Sequence, residues 1–169
     1  VPAHANSCLA PVPPNLVRNN NFECDGINSS KLIKPITGWT AIGTSIGETS
    51  SFDPVLAGPS GFLAIGTVGK LGVVSQTLQT KIGQKYLFSF AFSSDGTPGN
   101  IFEAKWGTEI IFSAIGLAAR SGWAAEDATV NYGFYVVATT TTTKISFSGE
   151  AGKSGAFVGI DYVIVQPAS

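Results

Sequence analysis

An all-β fold, an antiparallel β-sandwich of jelly-roll type, follows from three observations of the sequence. About ten short segments carry apolar residues with the alternation of a strand. Turns rich in Gly and Pro separate them, with 20 Gly and 9 Pro among 169 residues. Helical patterning is nearly absent: only residues 113–127 read as a helical turn, and Gly116 and Gly122 weaken it.

Residues 1–14 (VPAHANSCLAPVPP) are expected to be extended, because Pro11, Pro13 and Pro14 fix φ and lack amide donors. Residues 15–169 then read as a single domain with no internal repeat and no linker. Its clearest strand is 86–93, where Tyr86, Phe88, Phe90 and Phe92 share one face and small residues the other. Residues 145–148 alternate in the same way. Residues 157–165 are apolar on both faces, the pattern of a central strand covered on each side. Further strands are expected at 15–18, 39–42, 62–65, 73–80, 101–105, 109–113 and 132–139. Gly-containing turns at 82–84, 94–99, 106–108 and 149–155 divide them. The threonine run 139–143 suits an edge strand or its turn.

Charged residues make up 12 % of the chain and the net charge is −1, against about 25 % charged in an ordinary domain. Mean hydropathy is +0.25. The surface must therefore consist mainly of Ser, Thr, Asn, Gln and Gly, which suits a hydroxyl-rich ligand or a partner subunit. Nucleic acid is excluded as a partner, because 10 scattered Lys and Arg make no basic face. No apolar run approaches the roughly 18 residues of a transmembrane helix. Ala3-His4-Ala5 matches the small-residue pattern before a signal-peptidase site, although a plain flexible start reads equally well. Cys8 and Cys24 are expected to form a disulfide in a secreted chain, the alternative being two buried thiols. Asn28-Ser29-Ser30 is an N-glycosylation sequon.

Asn15-Leu16-Val17-Arg18-Asn19-Asn20-Asn21-Phe22-Glu23 opens the domain, and Gly38-Trp39-Thr40 follows. Then come Val74-Ser75-Gln76-Thr77-Leu78 and Gly83-Gln84-Lys85-Tyr86-Leu87-Phe88-Ser89-Phe90, and Gly159-Ile160-Asp161-Tyr162-Val163 closes it. In their order and spacing these segments resemble those of carbohydrate-binding modules with the galactose-binding-like jelly-roll fold, over positions 15 to 165. Two departures stand out: Tyr162 takes the place of a second Asp in the closing motif, and Cys24 replaces a small or polar residue. The resemblance implies a structural calcium ion between the opening and closing strands, with Glu23 and Asp161 as side-chain ligands. Chemistry is compatible, since Ca²⁺ takes about six to eight oxygens and a carboxylate on an apolar strand must be paired or metal-bound. The alternative is an ion pair of Asp161 with Arg18 or Lys31, leaving Glu23 solvated.

Sugar binding calls for flat aromatic faces flanked by amides and hydroxyls. Trp39, Trp106 and Trp123 are the available indoles, with Gln76, Asn100 and Asn131 as polar partners. Trp39 reads more readily as core. Trp106 and Trp123 stand beside Gly in expected loops, where an exposed ring would serve binding and a buried one the core.

A catalytic triad is excluded by the single histidine, His4, and no phosphate-cradling or nucleophile-elbow motif occurs. A carboxylate pair is the remaining enzymatic route. Glu103 and Glu109 flank a turn, where solvated edge charges are the ordinary explanation. Two readings follow. The first is a secreted, non-catalytic module that binds a polysaccharide or glycan. The second is a structural or adhesive subunit of a cell surface or extracellular matrix, self-associating through its sheet edges and residues 1–14.

Overall fold

Strands form where the side chains alternate. The computed structural model describes residues 8–22, 24, 36–42, 46–49, 62–94, 96–115, 129–156 and 158–169. The strands are β1 (Thr40–Ile42), β2 (Ile46–Thr49), β3 (Phe62–Ile65), β4 (Gly72–Gln79), β5 (Lys85–Ser94), β6 (Ile101–Trp106), β7 (Glu109–Ile115), β8 (Thr129–Val137), β9 (Thr142–Glu150) and β10 (Val158–Pro167). They build two five-stranded sheets, ordered β1-β4-β9-β6-β7 and β2-β3-β10-β5-β8. Every strand pairing is antiparallel. The all-β antiparallel sandwich expected from the sequence is thus the observed fold.

Alternation on β5 places Tyr86, Phe88, Phe90 and Phe92 between the sheets, all buried. Phe102 of β6, Phe112 of β7 and Phe147 of β9 meet them from the facing sheet. Phe90 lies at the hub, with ring centroids of Phe102 at 6.0 Å and Phe147 at 5.2 Å. As expected, β10 is central, the third of the five strands in its sheet. At one end of the sandwich Gly66 and Gly149 approach so closely that a Cβ at Gly66 would collide with the Gly149 carbonyl; the φ of +76° there is also glycine's own.

Three expectations are corrected. Residues 15–18 form no strand. Asn15 instead uses its side chain as a short piece of ladder: Nδ2 donates to Val163 O at 3.2 Å, and Oδ1 accepts Val165 N at 3.0 Å and Val17 N at 3.1 Å. Leu16 N completes the contact with Val165 O at 2.8 Å. The expected extension of residues 1–14 does not describe the part from Cys8 on. Cys8 and Leu9 have helical backbone, and the chain turns at the cis Pro13–Pro14 peptide, where Asn15 N donates to Val12 O at 3.0 Å. Finally, 113–115 belong to β7, while 116–127 lie outside the described residues. The threonine run makes a turn and then enters β9, a central strand; Thr80 Oγ1 bonds Thr143 Oγ1 at 2.9 Å and Thr140 O at 2.9 Å.

Truncation at the hub should open a cavity that neighbouring rings cannot refill. Phe90→Ala is expected to lower unfolding free energy by about 3–5 kcal/mol, read as a lower denaturant midpoint with an unchanged slope. An equal midpoint would mean that the aromatic core is not organised around this ring.

Candidate functional site

β10 departs from its ladder with β5 between Asp161 and Ile164. Tyr162 at this bulge has left-handed backbone, φ 47°. Asp161 is 0 % exposed, and its Oδ1 accepts Tyr162 N at 2.8 Å. The turn at residues 19–22 packs against the bulge, with Val163 N donating to Asn20 O at 2.8 Å. Asn19 and Phe22 are also left-handed, φ 44° and 58°, conformations that cost about 1–3 kcal/mol each at non-glycine residues. Cross-links hold the turn in place. Asn19 Nδ2 donates to Thr37 O at 2.8 Å, its Oδ1 accepts Cys24 N at 3.2 Å, and its carbonyl accepts Trp39 Nε1 at 3.1 Å. The expected disulfide joins Cys8 to Cys24, with Cα atoms 5.6 Å apart.

A buried carboxylate beside amide and carbonyl oxygens is the donor chemistry of a hard cation, not of zinc. Among the described residues no group of three or more His, Cys, Asp or Glu side chains comes together. Glu23, the other expected ligand, lies outside the described residues, as do Lys31, Trp123, Ala3-His4-Ala5 and the sequon at Asn28.

The outer face of β8 offers a different kind of site. Among the described residues β8 is the edge of its sheet and pairs with β5 alone. Tyr132, Phe134 and Val136 turn inward, so Asn131, Gly133, Tyr135 and Val137 point outward and are exposed. Tyr135 is 72 % exposed. Lys85 Nζ sits 5.6 Å from its ring centroid and also donates to Ser169 O at 3.1 Å. Over 130–137 the wholly apolar row is Val130, Tyr132, Phe134 and Val136, whereas Asn131 and Gly133 share the other row with Tyr135 and Val137. This alternation marks Tyr135 as outward, a signal that the expected strand at 132–139 did not use.

The residues expected to contact sugar are not brought together. Trp106 is the last inward residue of β6, not a loop residue. It is 5 % exposed, packs on Tyr86 and Phe88 and donates Nε1 to Val137 O at 3.1 Å. Trp39 is core as well, 5.2 Å from the ring of Phe22. Asn100 is buried and staples two loops, Oδ1 accepting Gly152 N at 2.8 Å and Nδ2 donating to Ser94 Oγ at 3.0 Å. Gln76 clamps the backbone of the opening segment: Oε1 accepts Arg18 N at 2.9 Å, and Nε2 donates to Arg18 O at 3.1 Å and Gly38 O at 2.8 Å. Of the described candidates, Asn131 alone is exposed. Glu103 and Glu109 are not cross-strand partners. Glu103 faces Ser113 and pairs with Lys105 at 3.1 Å, and Glu109 faces Trp106. Because Gln76 satisfies three backbone groups, Gln76→Ala should cost about 2–4 kcal/mol in thermal or denaturant unfolding. A cost near zero would show that water replaces the clamp.

No protein-family model matches the chain, and no curated protein does. Solved structures do. TmCBM61, solved in complex with β-1,4-galactotriose, superposes with TM-score 0.61 at 15 % identity, covering 91 % of this chain and 99 % of that one. A cyclase from Fischerella sp. gives TM-score 0.60 at 15 % identity, with 91 % and 95 % covered. The module CBM4 gives 0.52 at 15 % identity, with 90 % and 99 % covered. One fold therefore carries both sugar-binding modules and an enzyme. These likenesses establish architecture: over about nine-tenths of its length the chain matches the β-sandwich fold that carbohydrate-binding modules build.

Proposed function

We propose that this chain is a secreted, non-catalytic carbohydrate-binding module stabilised by a calcium ion. The observation that carries the reading is the superposition on TmCBM61 over nearly the whole of both chains. It is reinforced by a surface poor in charge and rich in hydroxyl and amide groups. The disulfide supports an oxidising, extracellular setting. Catalysis has little to work with: the sequence contains one histidine, and Glu103 is engaged by Lys105. For the second reading, strand donation by the N-terminal segment, the observations are unfavourable. Cys8 of that segment is held by the disulfide to Cys24, and the residues that follow it, Asn15, Leu16 and Arg18, are bonded to β10 and β4 of their own sandwich.

Calcium would be held by the carboxylate of Asp161, by Glu23 and by backbone and amide oxygens of the 19–22 turn. Bound there, the ion supplies positive charge to a buried carboxylate and fastens the opening segment to the bulge of β10. The reading is supported by the bonds around the buried carboxylate: Trp39 holds Asn19, Gln76 holds Arg18, and Asn15 holds β10.

Two measurements test the reading. Melting in calcium against melting in chelator should differ by several degrees for the wild type, since a ligand of the native state stabilises it. Asp161→Asn should abolish the difference; equal melting of the wild type in both buffers would remove calcium from the account. Retention on immobilised polysaccharides, β-galactan first, should occur without release of new reducing ends. A chain retained by no polysaccharide would overturn the carbohydrate reading, and released reducing ends would make it an enzyme.

A further inference from the structure

Gly133 has no role that the fold requires. It stands in the middle of β8, where glycine weakens a strand because it has no side chain to pack and loses more freedom on ordering. Its φ is not left-handed, and a Cβ built there meets only Leu87 Cδ1 at 3.5 Å and Ser89 Cβ at 3.7 Å, ordinary contacts. A β-branched residue would suit the position better. What the missing side chain leaves is a low place on the exposed outer face, floored by Gly133 and its cross-strand partner Ser89 and bordered by Leu87 Cδ1.

Tyr135 stands beside that low place. Its neighbours along the outward row of β8 are Val137 and Gly133. Lys85 pairs with Val137, and its ammonium lies over the ring, 5.6 Å from the centroid. Gly133, exposed, is the next outward residue on the other side of Tyr135. Asn131, also exposed, closes the far side; from Asn131 to Tyr135 the strand runs about 14 Å, longer than a single pyranose. The low place thus combines an exposed π-face held by a cation, a hydroxyl on the floor and an amide at the far end, with no charged side chain between them.

We infer that the low place over Gly133, bordered by the ring of Tyr135, seats one pyranose ring of a neutral, linear glycan lying along β8. This seat presupposes the carbohydrate binding proposed above and gives it a place and a ligand class. The stacked ring lies on Tyr135, its hydroxyl groups reach Ser89, and the next sugar along the strand meets Asn131. Aromatic stacking makes the seat tolerant of which neutral hexose or pentose occupies it, and the lack of a cation on the floor disfavours a uronic acid.

The test compares the wild type with Gly133→Val, Tyr135→Ala and Tyr135→Phe on immobilised β-galactan, β-glucan, xylan, mannan and polygalacturonate, with melting curves for each variant. Gly133→Val should melt no lower than the wild type yet lose retention by about ten-fold or more, a hot-spot effect. Tyr135→Ala should lose as much, and Tyr135→Phe should bind as the wild type does. A wild type retained by none of the matrices would defeat carbohydrate binding and the seat together. Retention of Gly133→Val equal to wild type would overturn the seat while leaving carbohydrate binding standing. Preference for polygalacturonate would overturn the neutral ligand class. If Gly133→Val melts early, the Tyr135 pair decides: loss with Ala but not with Phe supports the seat, and equal binding by all three proteins refutes it.

Discussion

Between β10 and β4 the opening segment forms no strand among the described residues, and besides a few backbone bonds its buried polar groups are met by side-chain amides. Asn15 meets Val163 and Val165 of β10, Gln76 of β4 meets Arg18 and Gly38, and Asn19 meets Thr37 and Cys24. An unpaired buried amide or carbonyl costs about 1–3 kcal/mol, so these few side chains hold the seam together. The rest of the architecture depends on them. They place Val17, Phe22 and Trp39 in the core, and they set the 19–22 turn against the one carboxylate that β10 buries.

The same constraint explains why Asp161 is tolerated on a strand of valine and isoleucine. A regular β10 would leave the carboxylate against apolar neighbours. The bulge instead hands it a backbone N–H and places it beside a turn rich in oxygen. Elsewhere the surface is quiet. On the outer face of the other sheet, Thr40, Thr77 and Thr142 are exposed and Ser146 and Ser148 half-buried, which is how so lightly charged a chain covers itself.

Strands were legible in the sequence where one face is aromatic and the other small. In β5 the alternation fixes both the element and its inner face, and in β10 the doubly apolar run fixes its central place. β2 was not legible, because Ile46-Gly47-Glu48-Thr49 carries too little pattern. The polar candidates were misread for a physical reason. Gln76 and Arg18 are 58 positions apart, and nothing local tells an amide that clamps a distant backbone from one that faces a ligand. Trp106 was misread because Gly107 marks a turn without showing on which side of it the strand ends. Tyr135 was passed over although Asn131 and Gly133 mark its row as the outward one, because an aromatic in a strand reads first as a β-former.

The seam also bears on how the molecule comes to exist. Asn15 and Val165 are separated by 150 positions, so this contact closes a loop that holds nearly the whole sandwich. Until β10 docks, Asn15 and Leu16 lack their partners on it and β5 has an open edge. Contacts of such long range slow folding because loop closure precedes their reward. The intermediate that precedes the docking of β10 therefore carries uncovered apolar faces and an open strand edge, the two features that make a folding chain prone to aggregation.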